Sequence, residues 1–440
     1  MFPNPHDALP LPPRPNLEQY KKLAKDLLKA SQSPDPTALH TWCARWIEKL
    51  IVIPSEVAGS QSDPATQLRD LVFGAKNELS LSIAHWTDQL EKFARQKLPQ
   101  TTWGRTHSSV PPSAARLSET ATLTAAQFVI ARAQGFESWP KLAKHIEAVA
   151  RSNSPVNDFE QAADAIVTGA VEHLEKILRD HPDLVRATST RRHQATLLHY
   201  VSANGIEDYR QQTPNNIVEI AELLLHSGAE VNAVATIYGG STTLALVATS
   251  IHPERAGVQE ALMQLLLDRG ATIDLANSPA GPLINICLAN GRVESAEFLA
   301  TRGATLDLEG AAGLGRLDVV KDYFDESGAL RPSATQTQME RAFLWAAEYG
   351  RNPVVDFLLQ RGVPLETQAN TGQTALHWAV IGAHLDTIKL LLDRGASLEA
   401  ENAYGGTPLG QALWSAKHGN PKIDHAQITD LLRSHGAKEE

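Results

Sequence analysis

Residues 374–399 read TALHWAVIGAHLDTIKLLLDRGASLE, and the two halves of this stretch carry different instructions. In the first half the hydroxyl of Thr374 is placed to cap a helix, and the small residues that follow let that helix come close to a neighbour. That helix must be short. In the second half the leucines of IKLLLDRG recur at i, i+3 and i+4 and form one apolar stripe, and Gly395 stands where a helix ends in a left-handed residue. The polar residues running on to Gly405, like those leading up to Gly372, read as a hairpin turn. A single helix-turn-helix-hairpin of this size cannot bury its own apolar face, so it has to stack on copies of itself.

The copies are present. The second-helix block recurs as LLLHSGAEVN, LLLDRGATID, FLATRGATLD, YFDESGALR, FLLQRGVPLE, LLLDRGASLE and LLRSHGAKEE, with glycines at 228, 270, 303, 328, 362, 395 and 436. Their intervals are 42, 33, 25, 34, 33 and 41 residues. A first-helix block precedes each one and puts Leu198, Leu244, Leu283, Leu308, Phe343, Leu376 and Leu409 in register. The long intervals carry extra residues between the two helices at IEDYRQQTPNN, IHPERAGVQ and AKHGNPKIDHA. The short one, around Ala311 and Ala312, lacks the Thr opening and is expected to have an irregular first helix. Upstream, FEQAADAIVTGAVEHLEKILRDHPDLVRA has the helix-pair pattern with Pro182 in place of the glycine, and reads as a capping repeat.

This motif set resembles the ankyrin repeat over roughly residues 158–440. Thr374 to His377 and Thr196 to His199 match the family's T-P-L-H, with Ala375 and Leu197 replacing its proline. The resemblance implies an all-α solenoid of about seven repeats plus a degenerate N-terminal cap. It also implies that His199 and His377 hydrogen-bond turn backbone rather than act as ligands or bases. Binding is then expected on a concave face made of first-helix ends and hairpin tips. The projected positions include Leu314, Glu348, Tyr349, Ile381 and Trp414, with Tyr238, Asn370 and Tyr404 at the tips. Two readings of the apolar members stand: one exposed stripe for a partner, or extra core folded back between repeats.

The first 150 residues differ in kind. NLEQYKKLAKDLLKA, with Asn16 as N-cap, ALHTWCARWIEKLIV, NELSLSIAHWTDQLEKFARQ, and the pair TAAQFVIARAQG and WPKLAKHIEAVA all have helical spacing. Trp42, Trp46, Trp86, Trp103 and Trp139 lie in this stretch, so a small helical domain over residues 1–150 with its own core is expected, and Thr101 to Ser118 reads as a loop. RPNLEQYKKLAKDLLKA and AQFVIARAQGFESWPKLAKHIE resemble a helical region found ahead of ankyrin repeats in some bacterial proteins, which implies a bacterial source.

Composition narrows the function. The net charge is -10 over 440 residues, with a pI near 5.9, opposite to the basic footprint that phosphate-backbone binding needs, so neither nucleic acid nor a membrane surface is an expected partner. Cys43 and Cys287 are too few for a disulfide framework and read as buried small apolar residues. The N-terminus MFPNPHDALPLPPRP lacks a signal-peptide pattern and no 18-residue apolar run occurs, which gives a cytoplasmic expectation.

No P-loop, GxSxG elbow, HExxH or EF-hand loop is present. YGGST at 238–242 reads as a hairpin tip, and Ser138 with Lys141 reads as a helix start with Pro140 in its first turn rather than an S-x-x-K nucleophile. His418 and His425, in an insertion beside Asp424, want a third convergent ligand before they make a metal site. The expectation is therefore a non-enzymatic, monomeric adaptor that holds a protein or peptide, with no cofactor and no metal. The alternative is an enzyme whose helical N-terminal domain carries the chemistry while the repeats choose its substrate.

Overall fold

The computed structural model describes residues 8–12, 15–51, 76–98, 121–151, 154–274, 281–418 and 423–438. Trp103, the expected loop at 101–118 and the middle of the 416–426 insertion lie outside them. The chain divides into two compact units, 1–272 and 273–440, and the expected boundary near residue 150 falls inside the first.

In the first unit, five helices open the chain among the described residues: α1 Leu17–Ser31, α2 Ala38–Ile51, α3 Lys76–Lys97, α4 Leu123–Ala133 and α5 Trp139–Val149. Asn16 caps α1 by accepting from the Glu18 N–H at 2.8 Å, and the spacing of Tyr20, Ala24, Leu27 and Ser31 gives the helix one buried face. That face joins Ile47, Leu90, Val129, Ile130, Phe136 and Leu142 in one apolar cluster, with Trp46 inside it and Trp42, Trp86 and Trp139 packed on its margin. Burying each large aliphatic member contributes about 1.5–3 kcal/mol.

Helix pairs follow. Helix α6 (Pro155–Thr168) lies against α7 (Val171–Asp180), a 3₁₀ turn at Leu197–Ser202 against α8 (Ile217–His226), and α9 (Thr243–Thr249) against α11 (Gln259–Asp268), with α10 (Ile251–Arg255) in the inserted stretch. Between pairs the chain makes hairpins. Thr188 bridges Thr196, and β1 (Val234–Ala235) pairs antiparallel with β2 (Ser241–Thr242) around the expected YGGS turn.

The copy that matches the repeat motif well, at Thr196, does not form an α-helix in its first half. There the Ser202 hydroxyl donates to the His199 carbonyl at 2.7 Å, and Ala203 then turns left-handed at φ 47°, so the segment tightens into a 3₁₀ turn.

The interior of this unit also holds charge. Arg191 and Arg210 are almost wholly buried, as is Glu207, with Glu160 and Asp164 at their edge. The Arg191 guanidinium contacts Glu207, lies 3.3 Å from Glu160, and donates to Tyr209 at 3.2 Å and to the Gln134 carbonyl at 3.0 Å. Arg210 reaches Glu160 at 2.8 Å and Asp164 at 2.7 Å. Burial alone would raise the Glu160 pKa, but Arg210 and then Arg191 hold it down to about 2. Gln134 completes the chain of contacts, because its side chain accepts from the Tyr20 hydroxyl at 3.0 Å and donates to the Pro10 carbonyl at 3.2 Å. One guanidinium in a hairpin thus fastens the opening helices to the first helix pair.

In the second unit the pairs are α12 (Leu283–Ala289) with α13 (Val293–Ala300), α14 (Leu308–Gly313) with α15 (Leu317–Asp322), α16 (Gln336–Glu348) with α17 (Asn352–Gln360), α18 (Ala375–Ile381) with α19 (Leu385–Asp393), and α20 (Pro408–His418) with α21 (His425–Ser434). First helices pack side by side in chain order. Ala311, Ala342, Ala346, Ala375, Ala379 and Ala412 are buried along these contacts, with Leu308, Phe343, Leu376 and Leu409 at the aligned positions. Small side chains set how closely the helices approach and the larger ones fill the space between them.

The short copy departs from expectation. Its first helix is regular, because Asp307 caps it by accepting from the Gly310 N–H at 2.8 Å, and the shortening shows instead as two six-residue helices. Gly310 is needed there, since a Cβ would fall 2.8 Å from Asn285 Oδ1 and 3.0 Å from Ile284 Cγ2.

Six of the seven aligned glycines, at 228, 270, 303, 362, 395 and 436, follow directly on a second helix with φ between +86° and +97°, the conformation the sequence spacing predicts for them; Gly328, at φ 85°, lies instead in the turn bridged by Phe324 and Leu330, beyond the end of α15. The turn between the two helices of a copy needs the same conformation. Gly291, Gly315 and Gly350 supply it, but Ala383 holds φ 59° in the α18–α19 turn. A left-handed alanine costs about 1–2 kcal/mol, partly offset by the lower entropy of alanine in the unfolded chain, about 0.4–1 kcal/mol. Ala383→Gly is therefore expected to stabilise the second unit by about 0.5 kcal/mol, visible as a higher urea midpoint with an unchanged slope. In the first unit, Arg191→Ala takes the nearest cation from buried Glu207, leaving it His193 at 3.3 Å and Arg210 at 3.6 Å, and is expected to cost about 3–5 kcal/mol. A loss under 1 kcal/mol in the same denaturation experiment would show that the network carries little stability.

Candidate functional site

A surface for a partner has to be built from side chains that the repeat core does not consume. In the second unit the clearest case is the hairpin before α20. Asn402 organises its tip: its Oδ1 accepts from the N–H groups of Tyr404 at 2.9 Å and Gly406 at 3.1 Å, and its own N–H donates to the Gly406 carbonyl at 3.0 Å. Gly405 takes φ 78° to close the turn. With the tip's backbone satisfied internally, the Tyr404 ring stands 81% exposed.

The preceding hairpin is held against this one. Ala403 donates to the Thr371 carbonyl at 2.9 Å, and Gly372 lies so close that a Cβ would fall 2.6 Å from the Ala403 nitrogen. Exposed Asn370 is thereby brought onto the same edge as Tyr404. On α20, Trp414 is 59% exposed and its ring stacks on His418 at 4.9 Å, while Leu413 beside it is 44% exposed. Leu413 and Asn402 were not among the expected site residues. Asn402 has a signal in the sequence, an asparagine ahead of two glycines, but nothing in the pattern marks Leu413 as exposed.

Other expected members are elsewhere. Leu314 is buried and is corrected here to a core residue: all six residues of α14 are buried, and Leu314 continues its last turn in helical backbone, with its N–H on the Gly310 carbonyl at 3.0 Å. Tyr349 is half-buried and its hydroxyl donates to the Leu288 carbonyl, so it ties α16 to the end of α12. Ile381 is half-buried at the end of α18. Glu348 is half-buried too, and burial pushes its carboxyl up to about 7. Tyr238, in the first unit, is 63% exposed at its hairpin tip and donates to Asn204 Oδ1 at 3.1 Å. Of the two readings of the apolar stripe, inward packing describes Leu314 and Tyr349 and outward display describes Trp414 and Tyr404.

The remaining chemical candidates have structural work. His377 Nδ1 accepts from the Thr374 N–H at 3.2 Å and Nε2 faces the Gly406 carbonyl at 3.0 Å, which fixes the proton on Nε2. His199 accepts from the Thr196 N–H at 3.1 Å in the same way, and burial lowers its pKa to about 4, keeping the ring neutral. Asp424 caps α21 through the N–H groups of Ala426 and Gln427, and His418 Nδ1 lies 3.1 Å from the Trp414 carbonyl. Ser138 starts α5 without a side-chain cap, and Lys141 pairs with Glu137. Among the described residues no group of three or more His, Cys, Asp or Glu side chains is placed to hold a metal ion, and no helix is long and apolar enough to cross a membrane. Cys43 and Cys287 are buried free thiols.

A family model for ankyrin repeats, in three copies, matches residues 308–402 and again residues 343–438. The Caenorhabditis elegans ankyrin repeat and KH domain-containing protein mask-1 is 26% identical over 178 residues, which is 39% of this chain and 6% of that protein. The chain thus spans a small fraction of the curated relative it matches. The crystal structure of the human ASB11 ankyrin repeat domain is 22% identical, covers 63% of this chain and 99% of its own, and superposes with a TM-score of 0.33.

Glu348 gives the stability of the second unit a pH dependence. With a folded pKa near 7 against an ordinary 4.5, its charged form is disfavoured in the fold, so the penalty is absent below pH 4.5, grows as pH rises towards 7 and is constant above it. Glu348→Gln is expected to unfold at higher urea than the parent at pH 8 and at the same urea at pH 4.5. An equal difference at both pH values would mean that Glu348 is not titrating as its burial implies.

Proposed function

We propose that this chain, whose residues 308–438 match a family model for ankyrin repeats, is a non-enzymatic adaptor that binds a protein or peptide partner through the hairpin tips and first-helix surface of its C-terminal repeats. The observation that carries this reading is the exposure of Tyr404 and Trp414, two large aromatic rings displayed by a rigid hairpin and a packed helix. Tyrosine and tryptophan on rigid elements are the side chains that most often anchor protein interfaces, since they offer a large contact area with little conformational entropy to lose. Leu413 extends the apolar area, and Asn370 supplies a polar margin. Tyr238 has the same kind of exposure in the first unit and is offered as a contact of that unit on its own account. A cytoplasmic location and a monomeric state belong to this proposal, as does the expectation that neither nucleic acid nor membrane is the partner.

The test is affinity capture from a lysate of the source cell with the parent chain and with Tyr404→Ser combined with Trp414→Ala. Both substitutions are at exposed positions, so folding should be unchanged by circular dichroism. A protein held by the parent and reduced at least tenfold by the double variant is the expected result. Equal retention of every captured protein would remove these two residues from the interface.

A further inference from the structure

The first unit contains a cavity of about 470 Å³ that the protein-binding reading does not use. Its walls come from four places: Glu137, Lys141, Lys144, His145 and Ala148 on and before α5, Val156 on α6, the hairpin residues Thr190, Arg191, Arg192 and Gln194, and Thr236 from the next hairpin. The hairpins are fixed to one another and to the opening helices. Thr236 donates from its N–H to the His193 carbonyl at 2.9 Å and from its hydroxyl to the Arg192 carbonyl at 2.6 Å, while the Arg192 N–H donates to the Gly135 carbonyl at 3.1 Å. The cavity is therefore bounded by backbone held in place on several sides.

Its charge is unlike that of the whole chain. Against a net charge of -10, the described residues lining this cavity present Lys141, Lys144 and Arg192 at the surface and a single carboxylate, Glu137, already engaged by Lys141. Arg132 lies near enough to Arg192 for the two cations to disfavour one another. Arg191, deeper in the wall, is committed to the buried carboxylates described above.

One buried polar atom in the lining residues has neither a hydrogen bond nor an ion pair, since Arg191 Nε lies against Glu207. His145 is 2% exposed; its Nδ1 is 2.7 Å from the Thr190 hydroxyl, and its Nε2 is buried without a hydrogen-bond partner. A buried ring nitrogen with no partner is destabilising, and a bound group can supply the missing hydrogen bond. Ala148 and Val156 add a small apolar wall, and the volume is in the range of sites for small organic molecules, larger than a bare ion needs.

The geometry points to a binding site for a small phosphorylated organic molecule, with Lys144, Arg192 and Lys141 around the phosphate and the organic part against Ala148 and Val156. A phosphate monoester carries close to two negative charges and several acceptor oxygens, which suits several cations converging from a helix and a hairpin better than a single carboxylate does. None of the residues proposed for the partner surface, Tyr238 included, lines this cavity.

Isothermal titration of the full chain at low ionic strength with adenosine monophosphate, glucose 6-phosphate, citrate and adenosine tests this. Saturable binding of one or both phosphorylated probes is expected, with no binding of adenosine. The variant Lys144→Glu with Arg192→Glu, both exposed, should weaken that binding at least tenfold. Lys22→Glu with Lys25→Glu makes the same change in net charge on α1, away from the lining, and should leave it unchanged. If the double pocket variant does not fold, Lys144→Ala alone should weaken binding measurably. Equal weakening by the two charge-reversed variants, unchanged binding in the pocket variant, citrate bound as tightly as the phosphorylated probes, or no heat with either phosphorylated probe would each overturn the assignment.

Discussion

Two short helices enclose almost no interior, and the side chains they need to bury are covered only when another pair is laid alongside. Everything regular in this chain serves that contact. The alanines at 311, 342, 346, 375, 379 and 412 let the first helices come close, and Leu308, Phe343, Leu376 and Leu409 fill what space remains. The glycines that close second helices return the chain for the next copy, each in the same left-handed conformation. Where a copy deviates, it does so without disturbing the contact. The copy at 308–322 shortens both helices but keeps its cap through Asp307, and inserted residues at 251–255 form a small helix between the two that pack.

The first unit meets a second demand, which is to join helices of another kind to the repeat. It uses charge to do so. Arg191 leaves a hairpin and ends among Glu160, Glu207, Tyr209 and the carbonyl of Gln134. Such a network is a poor source of net stability compared with apolar packing, because desolvation consumes much of the Coulomb attraction. What it does is select a single arrangement: any other leaves a guanidinium or a carboxylate buried without a partner.

Much of the architecture was legible in the sequence because the repeat is local. Thr374, the leucines after Ile388 and Gly395 state a helix, a stripe and a stop within 26 residues, and copying supplies the rest. Leu198, Leu244 and Leu283 are buried as their alignment requires. What was not legible depends on neighbours distant in sequence. The motif at Thr196 predicts an α-helix, but a hydroxyl at Ser202 and a left-handed Ala203 make it a 3₁₀ turn. Leu314 and Trp414 occupy comparable projected positions, yet one is buried and the other exposed, since the outcome depends on what covers each helix end. The network around Arg191 joins residues from 134 to 210, and no periodicity announces it.

Repeat arrays are ordinarily divisible, since each copy depends only on the copies beside it. Arg191 sets a limit to that freedom. Because its guanidinium takes the carbonyl of Gln134, and Gln134 in turn holds Tyr20 and Pro10, the opening helices are part of the solvation shell of a charge that belongs to the repeats. Evolution or an engineer could add or remove copies at 273–440 by cutting at a glycine. Shuffling the first copies onto another protein would require carrying about two hundred residues with them, so this end of the chain is inherited as a block.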